Sequence, residues 1–146
     1  MMLVGSFEHT LDSKGRVSLP SSFRKELDGS DLILVPSPTD KALLVFNPEN
    51  FDAWMKSLFE RNGGFNPRSK KDLIIRQRIL GSSASAVIDA AGRVNVPAKL
   101  RAYADLEKDV VVLGNQDYIE LWDAQSFEEA MSEISDEEFA DFFFDE

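Results

Sequence analysis

The chain has 146 residues and a mass of 16.4 kDa, which suits one ordinary domain or two small halves that would each be marginal alone. A composition of 43% hydrophobic and 29% charged residues with eleven Phe excludes a disordered chain. Zero cysteines exclude disulfides, iron–sulfur clusters and thiolate zinc sites and fit a reducing compartment, while the net charge of −10, taken whole, argues against nucleic acid.

Glu8, His9, Asp12, Lys14 and Arg16 interrupt the first 20 residues, and no uncharged apolar run approaches membrane-spanning length. A soluble, cytoplasmic protein is expected. Phe7, His9 and Leu11 alternate with Glu8, Thr10 and Asp12, the period of a half-buried strand, on which His9 is expected to pack rather than to bind metal. Asp12 to Gly15 suit a hairpin on a type I turn, with Asp accepting backbone N–H bonds and Gly taking positive φ. Arg16 leaves that turn at a fixed place, and Val17 and Leu19 continue the alternation. Pro20, like Pro97 later in the chain, suits the first position of a short helix, SSFRKEL or AKLRAYA, and Arg24, Lys25, Lys99 and Arg101 on these helices either meet phosphate or solvate the helix face.

A strand, DLILV (31–35), follows. In VFNPENF (45–51), Phe46, Asn47, Pro48 and Phe51 read as N′, N-cap, N1 and N4 of a second helix closed by a hydrophobic staple. Trp54, Met55, Leu58 and Phe59 recur at helical spacing, as core or subunit interface. A Gly/Asn/Pro loop (61–69) leads to a basic connecting helix (70–80); Arg68 of the loop and Lys70, Lys71, Arg76 and Arg78 of the helix suit a solvated face first and an interface with a neighbouring subunit second.

The pattern then restarts. LDSKGRVSLPSSFR (11–24) aligns without gaps on IDAAGRVNVPAKLR (88–101) at an offset of 77, with six identities in 14 positions. Asp89, Gly92, Arg93, Val94, Pro97 and Arg101 repeat Asp12, Gly15, Arg16, Val17, Pro20 and Arg24. DVVVL (109–113) answers DLILV, and LWDAQSF (121–127) answers VFNPENF, with Trp122, Asp123 and Phe127 restating the cap and staple. Such self-similarity marks a duplication.

The paired Asp-x-x-x-Arg motifs, the phrase LDSKGRVSLP and IELWD resemble the MraZ family, built from two SpoVT/AbrB-like repeats, over nearly the whole chain to about residue 130. The resemblance implies an α+β fold: a small β-barrel of interleaved hairpins from the two tandem repeats, with flanking helices. The duplication places the repeats at residues 1–60 and 81–134 with a connector at 61–80, and leaves 135–146 as an acidic aromatic tail whose composition gives disorder as the bland reading. The resemblance further implies a sequence-specific DNA-binding regulator, usually a repressor of its own operon in the division and cell wall gene cluster. Such a protein binds repeated elements of double-stranded promoter DNA as a ring-shaped homo-oligomer in the nucleoid. Carried onto this chain, Arg16 and Arg93 contact DNA, Lys14 adds a phosphate contact, and Asp12, Gly15, Asp89 and Gly92 hold the turns. Ala90 and Ala91 replace Ser13 and Lys14, so the second turn lacks that added contact.

The chemistry agrees, since an Arg fork on a rigid turn can donate to guanine O6 and N7 or hold a phosphate, and a two-stranded ribbon fits the major groove. For one copy alone, the plainer reading is that each Arg merely pairs with its own Asp; the duplication favours DNA. Residues 117–146 hold 12 of the 26 acids and no base, so residues 1–116 carry a net of +2, and Arg61 to Arg101 a net of +7. No nucleotide-loop, zinc-protease or hydrolase-elbow pattern occurs, so no enzyme, cofactor, metal, membrane or small-molecule substrate is expected. The alternative is an oligomeric β-barrel scaffold that recruits a protein partner through the tail, where Phe139, Phe142, Phe143 and Phe144 sit among acids. Docking of those Phe on a neighbour, or competition with DNA for the basic loops, are the sharper readings of that segment.

Overall fold

The computed structural model describes residues 2–27 and 31–144; Asp145 and Glu146, the end of the expected tail, lie outside them. The first half forms β1 (Ser6–Thr10), β2 (Arg16–Ser18), α1 (Ser21–Leu27), β3 (Asp31–Pro36), β4 (Ala42–Phe46) and α2 (Pro48–Glu60). Helix α3 (Lys70–Ser82) connects to β5 (Ala84–Val87), β6 (Arg93–Asn95), α4 (Ala98–Tyr103), β7 (Asp109–Asn115), β8 (Tyr118–Asp123) and α5 (Ala124–Met131), followed by α6 (Asp136–Phe144). The same element order thus runs twice, with α6 added.

The strands of the two halves interleave. A six-stranded antiparallel sheet has the order β1-β7-β8-β4-β3-β5, and a separate two-stranded sheet pairs β2 with β6. Exchanging the halves reverses the six-strand order onto itself, so a pseudo-twofold passes between β4 and β8 and between β2 and β6. The first strand of each half pairs with the third strand of the other: Phe7 faces Val112, and Leu32 faces Ala86. Neither half therefore owns a complete sheet.

The expected closed barrel is not formed by continuous pairing. Single bridges, Leu11 to Val17 and Ile88 to Val94, connect the β1 and β5 edges to the β2–β6 ribbon, while the ladders themselves stop short. The physical reason is the turn, which sends the chain off at Asp12 and Asp89 after one paired residue. Strand β1 is also wetter than its alternation suggests: Phe7 is 36% exposed, though its ring meets Phe23 edge-on at 5.3 Å, and His9 is only half-buried.

The main core lies between sheet and ribbon, where Val17 and Val94 meet Phe23, Leu32, Leu43 and Leu121. Two smaller clusters sit under α2 and α5, and the staples anchor both. Asn47 Oδ1 accepts from Asn50 N at 2.7 Å and Asp123 Oδ2 from Ser126 N at 3.0 Å. The Phe46–Phe51 and Trp122–Phe127 rings each meet edge-on at 5.7 Å. Met55 and Phe59 are buried as the helical spacing predicts, whereas Leu58 is 41% exposed. Pro20 and Pro97 fall one position earlier than N1. Pro97 caps α4 with ψ 148°, and the carbonyl of Pro20 accepts from Phe23 and Arg24, because each proline still belongs to extended chain tied to the opposite turn. Residues 136–144, expected to be disordered, are helical.

Candidate nucleic-acid interface

Residues two apart on a strand share a face, so antiparallel pairing of Arg16 with Asn95, Val17 with Val94 and Ser18 with Arg93 sorts the ribbon into two sides. Val17 and Val94 are fully buried beneath it. Arg16, Ser18, Arg93 and Asn95 form the outer side, and the two arginines are diagonal neighbours across it. The ribbon thereby joins in one patch two side chains that lie 77 residues apart in the chain.

Each arginine is aimed by its own turn. Asp12 Oδ1 accepts from the N–H groups of Lys14 and Arg16, both at 2.9 Å, and Oδ2 accepts from Arg16 Nε at 2.7 Å. Asp89 repeats this with Ala91 N and Arg93 N at 2.9 Å and Arg93 Nε at 3.3 Å. Gly15 and Gly92 take φ of +81° and +80°, and their N–H groups close the turns onto the Asp12 and Asp89 carbonyls. The backbone N–H of the motif arginine foremost, aided by a second backbone N–H and by the arginine side chain, holds both carboxyls below the ordinary aspartate value against a partial desolvation that pushes the other way. Both arginines therefore pair with their own Asp, as the plainer reading predicts. They nonetheless stay on the outer side, with side chains 28% and 33% exposed. Asp12 Oδ2 also lies 3.8 Å from Arg93 Nη1, so one carboxylate touches both arginines. Lys14 is exposed beside the first turn, and the second offers Ala91 there.

The turns are completed from the opposite half. Val96 N donates to the Gly15 carbonyl at 2.8 Å, and Leu19 N to the Gly92 carbonyl at 3.0 Å. A Cβ added at Gly15 would run into the guanidinium of Arg101, and one at Gly92 into that of Arg24. Arg101 also donates from Nη1 to the Val96 carbonyl. These two helix arginines thus cover the glycines of the other repeat's turn rather than solvating a helix face, while Lys25 and Lys99 beside them are exposed. The sequence reading missed this crossing, which has no local signature. It also passed over Ser18 and Asn95, although the strand period placed them beside Arg16 and Arg93.

Among the described residues, no group of three His, Asp or Glu side chains is placed to hold a metal, and no helix is long and apolar enough to cross a membrane.

A duplicated strand–turn–strand unit whose two turns present one arginine each on a shared ribbon defines a tandem Asp-x-x-x-Arg protein. The family model described as "MraZ protein, putative antitoxin-like" matches residues 2–72 and 79–143, and the chain belongs to that family. It is similar to "Transcriptional regulator MraZ" of Thermoanaerobacter sp. (strain X514), 37% identical with 96% of this chain and 95% of the relative covered. The protein of the same name from Corynebacterium urealyticum is 38% identical over 88% of this chain and 85% of its own length. That from Caldanaerobacter subterraneus is 36% identical over 96% and 95%.

Proposed function

We propose that this protein is a sequence-specific DNA-binding transcriptional regulator that reads promoter DNA with the outer side of the β2–β6 ribbon. The observation that carries this reading is the placement of Arg16 and Arg93 as diagonal neighbours on one exposed face, each held by an Asp and a positive-φ Gly. A two-stranded ribbon fits the major groove, where an Arg fork matches guanine, Asn matches adenine and Ser hydrogen-bonds either. Asn95 and Ser18 therefore join the arginines as base-reading candidates, and Lys14 adds a phosphate contact. The names of the relatives support a regulatory role, and the role is one of binding rather than catalysis. In the finer form of the proposal the protein represses its own operon in the nucleoid. Several subunits of a ring engage repeated elements, so modest contacts combine through multivalency. The single bridges at Leu11 and Ile88 support regarding the interleaved sheets as a pinched barrel.

The test is a gel shift of wild type and Arg16→Ala on upstream DNA across a salt series. Wild type binds with a steep salt dependence and Arg16→Ala loses binding. Equal binding by both proteins, or a wild type indifferent to salt, would overturn the proposal.

A further inference from the structure

Helix α6 buries none of its nine residues, and every residue from Ser132 to Phe144 is exposed. A helix this short does not persist alone in water, so its helical form calls for something to pack against. Its content points the same way. Phe139, Phe142, Phe143 and Phe144 are 60%, 76%, 65% and 84% exposed. The Phe143 ring meets those of Phe139 and Phe142 edge-on at 5.2 and 5.7 Å, making an aromatic ridge. Asp136, Glu137, Glu138 and Asp141 accompany it, with no basic residue in the helix.

Charge selects among four grooves on the described residues. The two beside β1 and β7 are lined by Glu8 and Asp109 and repel an acidic helix. A third, between Trp54 and Tyr118, carries Asp117 and no base. The groove between α2 and α3, about 340 Å³, differs: Met55, Phe59, Phe65 and Leu80 wall it, and Arg76 and Lys56 are its cations. Arg76 lies 3.9 Å over the Phe65 ring, and Asp52 pairs with Lys56 at 3.0 Å, which leaves the cationic excess to Arg76. Helix α3 itself buries no residue, Leu80 is 50% exposed, and Lys70, Lys71 and Arg78 extend its positive surface.

We propose that the Phe ridge of α6 docks in the α2–α3 groove of a second copy of this chain, with the α6 acids facing Arg76 and the α3 cations. Ridge and groove are different surfaces, so each copy keeps one of each to offer. The contact is head-to-tail, which builds a ring where the rotation between copies closes and a filament where it does not. The inference deepens the assembly part of the proposed function; its test reads mass and uses no DNA, so the two fail separately.

Two full-length variants test it by analytical ultracentrifugation. Phe142→Ser/Phe143→Ser breaks the ridge and keeps the groove; Arg76→Glu/Leu80→Glu breaks the groove, at exposed positions, and keeps the ridge. Wild type is expected to form an oligomer, each variant alone a smaller species, and their equal mixture to regain mass by one pairing step, because only one ridge and one groove remain intact per pair. Charge reversal gives a second readout that does not rely on the Leu80 change: Arg76→Glu alone weakens assembly, and Glu138→Lys/Asp141→Lys added to it restores assembly. The proposal is overturned if wild type is a monomer, as docking of α6 on its own groove or on another protein would give. It is equally overturned if either variant keeps the wild-type mass, if the mixture gains nothing, or if charge reversal fails to restore assembly.

Discussion

Arg101, on the helix of the second repeat, lies against the face of Gly15 in the turn of the first, and Arg24 does the same to Gly92 in the opposite direction. Each Asp-x-x-x-Arg turn is therefore finished by a side chain from the other repeat. Arg101→Ala is expected to weaken promoter binding by loosening the seat of Arg16 while leaving the slope of log K against log salt unchanged. Lys14→Ala, which removes the proposed phosphate contact, lowers that slope by about 0.9. Fluorescence anisotropy over a salt series separates the two roles. A reduced slope in Arg101→Ala would make Arg101 a contact residue instead.

Gly15→Ala carries two penalties, a positive φ and the collision with Arg101, and is expected to destabilise by about 1–3 kcal/mol. Gly63→Ala serves as the reference, because Gly63 has φ +84° but open space around it. Urea unfolding should show the larger loss at Gly15. Adding Arg101→Ala should shrink the Gly15→Ala cost toward the Gly63 value, a coupling that a double-mutant cycle measures directly.

The two motif carboxyls make stability depend on acid. Asp12 and Asp89 have folded pKa values below the ordinary 3.8, so the stabilisation they contribute is fully present above that value and is lost as pH falls through the lowered one. Wild type should therefore lead Asp12→Asn/Asp89→Asn in urea midpoint at neutral pH, and the lead should shrink below pH about 4. A lead that is constant with pH would show that the carboxylate charge plays no part in holding the turns.

Asn47→Ala and Asp123→Ala each remove a side-chain cap and are expected to cost about 1 kcal/mol apiece. The caps serve different helices over different apolar clusters, so the double variant should show the sum in denaturant unfolding. A markedly larger joint loss would mean that the two helix starts are coupled through the β4–β8 pair between them.

Local signals carried much of this. Asp-x-x-Gly turns, Asn and Asp caps and Phe staples act within about five residues, and the duplication offered each twice. The Pro20 and Pro97 positions were misjudged by one residue because bonds from the opposite repeat keep the chain extended there. Pairing of β1 with β7 and the crossing of Arg24 and Arg101 join residues far apart in the chain, for which no periodicity exists. Helix α6 was hidden by its acidic composition, although Phe139, Phe142 and Phe143 already stood at the three- and four-residue spacing of one helical face.

The interleaving also sets an order of events during synthesis. Strand β1 emerges among the first ten residues, but its partner β7 spans Asp109–Asn115, so most of the chain must leave the ribosome before the first strand finds its place. Until then β4 has β3 but not β8, and β1 has no ladder at all. Such long-range pairing slows folding and leaves strand edges open to the wrong neighbour in the interval. The molecule gains two cross-braced turns from this topology and accepts a nascent chain that cannot fold by halves.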